Sequence, residues 1–134
     1  MYVTYDYNYT RYLFYTSFLF LLSSVLSYFY NSFYSSIIIF ILFLTSVLHW
    51  NNPDNVILKR VDLIMVKIVC FFYFINSFYK NEFDRQFLSS LALSVIIFYF
   101  LEHVLDFYKN SQWVIFHMAI HIYSALLFML FLFV

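Results

Sequence analysis

A chain of 134 residues in which 65% are hydrophobic, 27% aromatic and only 10% charged has room for one domain and too little polar surface to keep it in water. Seven basic and seven acidic residues cancel, so no basic patch is available for nucleic acid. Glycine is absent, which excludes phosphate-cradling loops, and the single cysteine, Cys70, excludes an internal disulfide and a cysteine-rich metal site.

The hydrophobic residues must face lipid. The fold class expected is all-α: a polytopic transmembrane helical bundle of about five spanning helices, forming a single domain over residues 1–134. The apolar runs fall at 12–30, 32–50, 61–79, 87–105 and 112–134. Each reaches the length of roughly 20 residues that a bilayer-crossing helix needs. The runs are continuous rather than alternating, which argues against a β-barrel. In lipid each segment must satisfy its own backbone hydrogen bonds, so even the strand-like run from Ser35 to Phe40 is expected to be helical.

In chain order, the tyrosine-rich start from Tyr2 to Tyr15 reads as an interfacial belt. The first span follows only Arg11 as a cation and is too long for a convincing cleavable signal. Asn31 and Ser32 mark the first turn. The second connection runs from Asn51 through the only proline, Pro53, to Arg60. The third, Lys80 to Arg85, is the most charged, and the fourth covers roughly Asp106 to Ser111. Arg11, Lys59, Arg60 and Lys109 collect on the N-terminal side, against Lys80 and Arg85 opposite. By the positive-inside rule this favours a cytoplasmic N-terminus.

Ionisable residues within membrane spans are expensive and default to functional candidates. Here they are His49, Asp62, Lys67, Glu102, His103, His117 and His121. The expected topology brings all four histidines and both carboxylates to the N-terminal-side face. His117 and His121 are four residues apart and project from one side of a helix, good spacing for two imidazoles to share a metal. His49, from another helix, can supply a third nitrogen, and three protein ligands plus water is the usual arrangement of catalytic zinc. Asp62 can orient a histidine or the water. Thr45 and Ser46 stand four and three residues before His49, so either hydroxyl can point to the same pocket.

Blander roles stand beside these. His49 next to Trp50 can mark the water interface, and Asp62 can cap the third span. Glu102 can pair with Lys67 or support the metal site; His103, about 100° away around the helix, suits an interfacial position. Lys67 suits snorkelling or neutralising an acid, and Cys70 suits inert packing.

The pattern carried by Thr45-Ser-Val-Leu-His49-Trp50, Arg60-Val-Asp62-Leu and Trp113-Val-Ile-Phe-His117-Met-Ala-Ile-His121 resembles the CREST superfamily of membrane hydrolases, which contains alkaline ceramidases and the progestin and adipoQ receptors. That family places a hydroxyl residue and a histidine at the end of one helix, an aspartate at the start of the next and a His-x-x-x-His pair in the last. The resemblance implies zinc on His49, His117 and His121, and a water held by Asp62 with a hydroxyl neighbour. The family has seven helices where five are expected here. Its serine stands four residues before the histidine, a place Thr45 occupies, with Ser46 one residue later.

The resulting expectation is a zinc-dependent integral-membrane hydrolase acting on a lipid amide or ester, with Asp62, Ser46 and Thr45 as catalytic candidates and a membrane lipid as substrate. The alternatives are a non-catalytic or receptor-like membrane subunit, and a haem-binding membrane anchor. Axial haem ligands normally come from facing helices, so two histidines one turn apart suit a single metal better.

Overall fold

The computed structural model describes residues 7–107 and 113–133. These form six helices and, among the described residues, no strand: α1 Tyr7–Thr16, α2 Phe18–Phe29, α3 Phe33–Asn51, α4 Val56–Ser77, α5 Glu82–Phe107 and α6 Trp113–Phe133. The fold is all-α, as expected, and the run from Ser35 to Phe40 lies within α3.

Four stretches are long and apolar enough to cross a membrane: Thr10–Phe29, Phe33–Asn51, Glu82–Leu105 and Ile115–Phe133. By these helices the chain is a multi-pass membrane protein. The count is four among the described residues rather than about five. The third expected span is helical too, as α4, but it carries Lys59, Arg60, Asp62 and Lys67. A charge at the centre of a spanning helix costs about 2.5–3.5 kcal/mol on insertion scales, and that load separates α4 from the other four.

Three boundaries differ from the sequence reading, each for a local reason. The first span is interrupted at Ser17, where the Thr16 and Ser17 hydroxyls both donate to the Leu13 carbonyl, at 3.1 and 2.8 Å. Hydroxyl bonding back into the preceding turn loosens and bends a helix. Residues 56–60 are helix rather than connection, because Asn55 Oδ1 accepts the amides of Ile57 and Leu58 at 3.0 and 3.2 Å and so caps α4. Residues 82–86 join α5 in the same way: Asn81 Oδ1 accepts the Asp84 amide at 2.9 Å. Glu82 and Asp84 then sit in the first turn, where the helix dipole favours negative charge. The fourth connection lies largely outside the described residues.

The turn between α2 and α3 is where the missing glycine is felt. The Asn31 amide donates to Tyr28 O at 3.1 Å and the Ser32 amide to Ser27 O at 2.9 Å, while Asn31 takes a φ of 59°. This is a Schellman close, whose left-handed residue is usually glycine and otherwise asparagine. Asn31→Val is expected to destabilise the turn by about 1–2 kcal/mol, whereas Asn31→Gly is tolerated. Thermal unfolding of the detergent-solubilised protein, followed by circular dichroism, measures the difference.

The chain divides into two compact units, residues 1–71 and 72–134, with the boundary inside α4. In the first unit α1 and α2 pack along α3. Thr10, Leu13, Ser17, Phe20, Ser24 and Ser27 are buried at alternating steps of three and four residues, as are Ser35, Ile39, Leu42, Ser46 and His49 on α3. That alternation averages 3.5 residues, the repeat of a coiled-coil seam. Serine fills much of it, since small residues let membrane helices approach closely. Ser24 and Ser36 each donate to the other's carbonyl, at 2.8 and 2.9 Å. Ser23 and Ser27 donate to Leu19 O and Ser23 O within α2, so their hydroxyls carry no unpaired polarity into the lipid layer. The large apolar side chains point the other way: Ile37, Phe40, Ile41 and Leu44 are exposed on α3, where lipid solvates them.

In the second unit α5 packs on α6. Leu88 and Val95 are buried on α5, and Ile120, Ser124, Leu127 and Phe128 on α6. Tyr73, in the last turns of α4, stacks on Phe128 with ring centroids 4.7 Å apart and meets Phe131 edge-on at 5.1 Å. The Lys80 ammonium lies 4.6 Å over the Phe131 ring, a cation–π contact.

Candidate functional site

In the first unit, His49 is in the last turn of α3 and Asp62 in the second turn of α4, the two helices being joined by a short connection. Both side chains are buried, each only 4% exposed. Asp62 is not the cap of α4; Asn55 has that role, and Asp62 stands two turns further on. The Thr45 hydroxyl lies 3.2 Å from Asp62 Oδ1 and 3.0 Å from Leu42 O. Its single proton is shared between them, as is common for threonine on a helix. Ser46 points elsewhere on α3: its hydroxyl is 2.8 Å from that of Ser17, inside the seam. Of the two candidate hydroxyls, Thr45 is therefore the one beside the carboxylate. Both occur one residue apart in the sequence, and the helical turn of about 100° per residue separates their directions. The His49 ring leans on Trp50, with centroids 4.3 Å apart and planes at 41°. Trp50 is itself buried.

In the second unit, α6 carries His117 and His121 on its buried stripe. Their rings are 4.9 Å apart at 70°, as expected for side chains one turn apart on one face. Glu102, in the penultimate turn of α5, brings a carboxylate oxygen to 3.0 Å from His117 Nδ1. A carboxylate there favours a proton on Nδ1 and leaves Nε2 as the ring's acceptor nitrogen. A carboxylate beside the ring is the usual support given to a metal-bound histidine. The sequence left Glu102 between two partners, and in this unit it is the carboxylate behind a histidine. His103, the adjacent residue, is exposed.

Lys67 is exposed on α4 and Cys70 is half-buried. In neither unit do three or more His, Cys, Asp or Glu side chains among the described residues gather closely enough to hold one metal ion. The second unit holds two adjacent imidazoles with a carboxylate behind one of them. That donor set fits two ligands of a nitrogen-rich zinc site, not a complete one, since catalytic zinc takes three protein ligands.

No family model, curated protein or solved structure matches this chain.

Proposed function

We propose that the protein is a zinc-dependent membrane hydrolase of a lipid amide or ester, of the kind its CREST-like motif order suggests. The observation that carries the reading is the Glu102–His117–His121 arrangement, two buried imidazoles in successive turns with a carboxylate 3.0 Å from the first. His117 and His121 would be two of the ligands. Zinc, when bound, supplies a polarised substrate carbonyl and a water acidic near neutral pH.

The chain's own residues then have defined tasks. Glu102 would support the His117 ring through the 3.0 Å contact at Nδ1. Asp62, buried and hydrogen-bonded by Thr45 in the first unit, would be a group able to accept a proton. The Thr45 hydroxyl would orient that carboxylate. Ser46, committed to Ser17, contributes packing. The same reading takes the N-terminal side as cytoplasmic, from the excess of Arg11, Lys59, Arg60 and Lys109 over Lys80 and Arg85.

Elemental analysis of the purified protein, together with hydrolysis of a long-chain N-acyl lipid and of a phospholipid ester, tests the reading. About one zinc per chain is expected, with turnover lost on chelation and restored by zinc. Protein without bound zinc that also fails to take it up would end the proposal. Zinc without turnover would point to a non-catalytic subunit, and a Soret band to haem.

A further inference from the structure

We infer that the first unit carries a binding site for a zwitterionic phosphodiester headgroup of the phosphocholine type, separate from the histidines. A cavity of about 400 Å³ opens where the second half of α1 meets the end of α3. Arg11, Phe14 and Tyr15 line it from α1, and Trp50, Asn51 and Asp54 from the end of α3 and the turn after it. This volume falls in the usual range for small-molecule sites, about 300–1,000 Å³.

Depth in the membrane narrows the ligand. Thr10 opens one membrane-crossing stretch and Asn51 closes the next, so the cavity sits where two antiparallel spans leave the apolar layer. That is headgroup level, the layer in which tryptophan and tyrosine are enriched. The chemistry narrows it further. Arg11 is exposed, and its guanidinium is steadied by the Tyr15 hydroxyl, which accepts from Nε and Nη2 at 3.2 and 3.0 Å. A planar guanidinium held this way is the preferred partner of a phosphate. Asp54 gives the same cavity an exposed carboxylate, and Phe14 and Tyr15 give it aromatic surface beside the buried Trp50. Carboxylate and aromatic faces together are how a quaternary ammonium is recognised. One cation, one anion and an aromatic wall in a single cavity match a ligand with both charges. A purely anionic headgroup would meet the Asp54 charge, and an uncharged lipid would leave both charges unused.

The test uses the full chain in maltoside micelles with Trp113→Phe, so that Trp50 alone reports by fluorescence. Four probes are titrated: dihexanoyl phosphatidylcholine, glycerophosphocholine, dihexanoyl phosphatidylglycerol and dihexanoylglycerol. Saturable binding of phosphatidylcholine is expected, with Arg11→Gln weakening it about tenfold or more. Asp54→Asn is expected to weaken phosphatidylcholine by a similar factor and to leave phosphatidylglycerol unchanged or tighter. Both positions are exposed, and circular dichroism confirms that each variant folds. Equal binding of glycerophosphocholine supports the same site with a water-soluble source, and tighter binding of phosphatidylcholine supports a lipid source. Tighter binding of phosphatidylglycerol than of phosphatidylcholine, equal binding of dihexanoylglycerol, or affinities unmoved by both substitutions would overturn the assignment. The zinc content of the protein does not enter this test, so the two proposals fail independently.

Discussion

Replacing His117 by alanine is expected to abolish both zinc binding and lipid hydrolysis, while Glu102→Gln weakens zinc affinity by about 10–100-fold without abolishing it. The two changes act on one ring in different ways. Alanine would remove one of the two proposed ligand nitrogens of α6 outright. Glutamine keeps the size of Glu102 and a hydrogen-bonding oxygen, but it removes the negative charge 3.0 Å from the His117 ring. Without that charge the ring has weaker support as a ligand. His103→Ala is the control, because His103 neighbours Glu102 in sequence yet is exposed. Competition with a chromogenic chelator measures zinc affinity, and product release measures turnover. Glu102→Gln with unchanged affinity would remove the carboxylate from the site. A His117→Ala protein that keeps its zinc would remove the site from α6 altogether.

Ser24→Leu is expected to cost the first unit about 1–3 kcal/mol, the usual range for forcing extra carbon into a packed interface. Ser24→Ala should cost less, about 0.6 kcal/mol for each hydrogen bond lost within a membrane. Ser24 is 4% exposed and sits where α2 and α3 approach through reciprocal serine–carbonyl bonds of 2.8 and 2.9 Å. Each hydroxyl has one proton and spends it on the opposite carbonyl, so the 3.2 Å approach of the two oxygens adds little. In a bilayer the lipid tails are as apolar as leucine, so burial supplies no net drive and close packing governs. Smallness should therefore outweigh hydrogen bonding at this position. Unfolding in increasing sodium dodecyl sulfate, followed by circular dichroism, ranks the variants. A larger loss for alanine than for leucine would reverse the conclusion.

The sequence determined the environment by composition. A chain with 10% charge and no glycine can hide its apolar surface only in lipid, and lipid permits only backbones that close their own hydrogen bonds. Spans at 32–50 and 112–134 were legible for that reason and appear as α3 and α6 within a residue or two. The i, i+4 placement of His117 and His121 was equally legible, because helical period alone puts them on one side.

Tertiary structure decided what composition and period leave open. It chose Thr45 over Ser46 for Asp62, since one residue along a helix turns the side chain from α4 towards the α1 seam. It placed Glu102 behind His117, a pairing between helices that no spacing within α5 reveals. It also set the cavity shared by Arg11 and Asp54, residues 43 positions apart whose chemistry combines only because two spans end at the same depth. Local hydrogen bonding and lipid immersion act residue by residue and can be read from the chain. Which side chains meet across helices depends on helix rotation and approach, and in the first unit those follow a seam of buried serines that no periodicity of hydrophobic residues would single out.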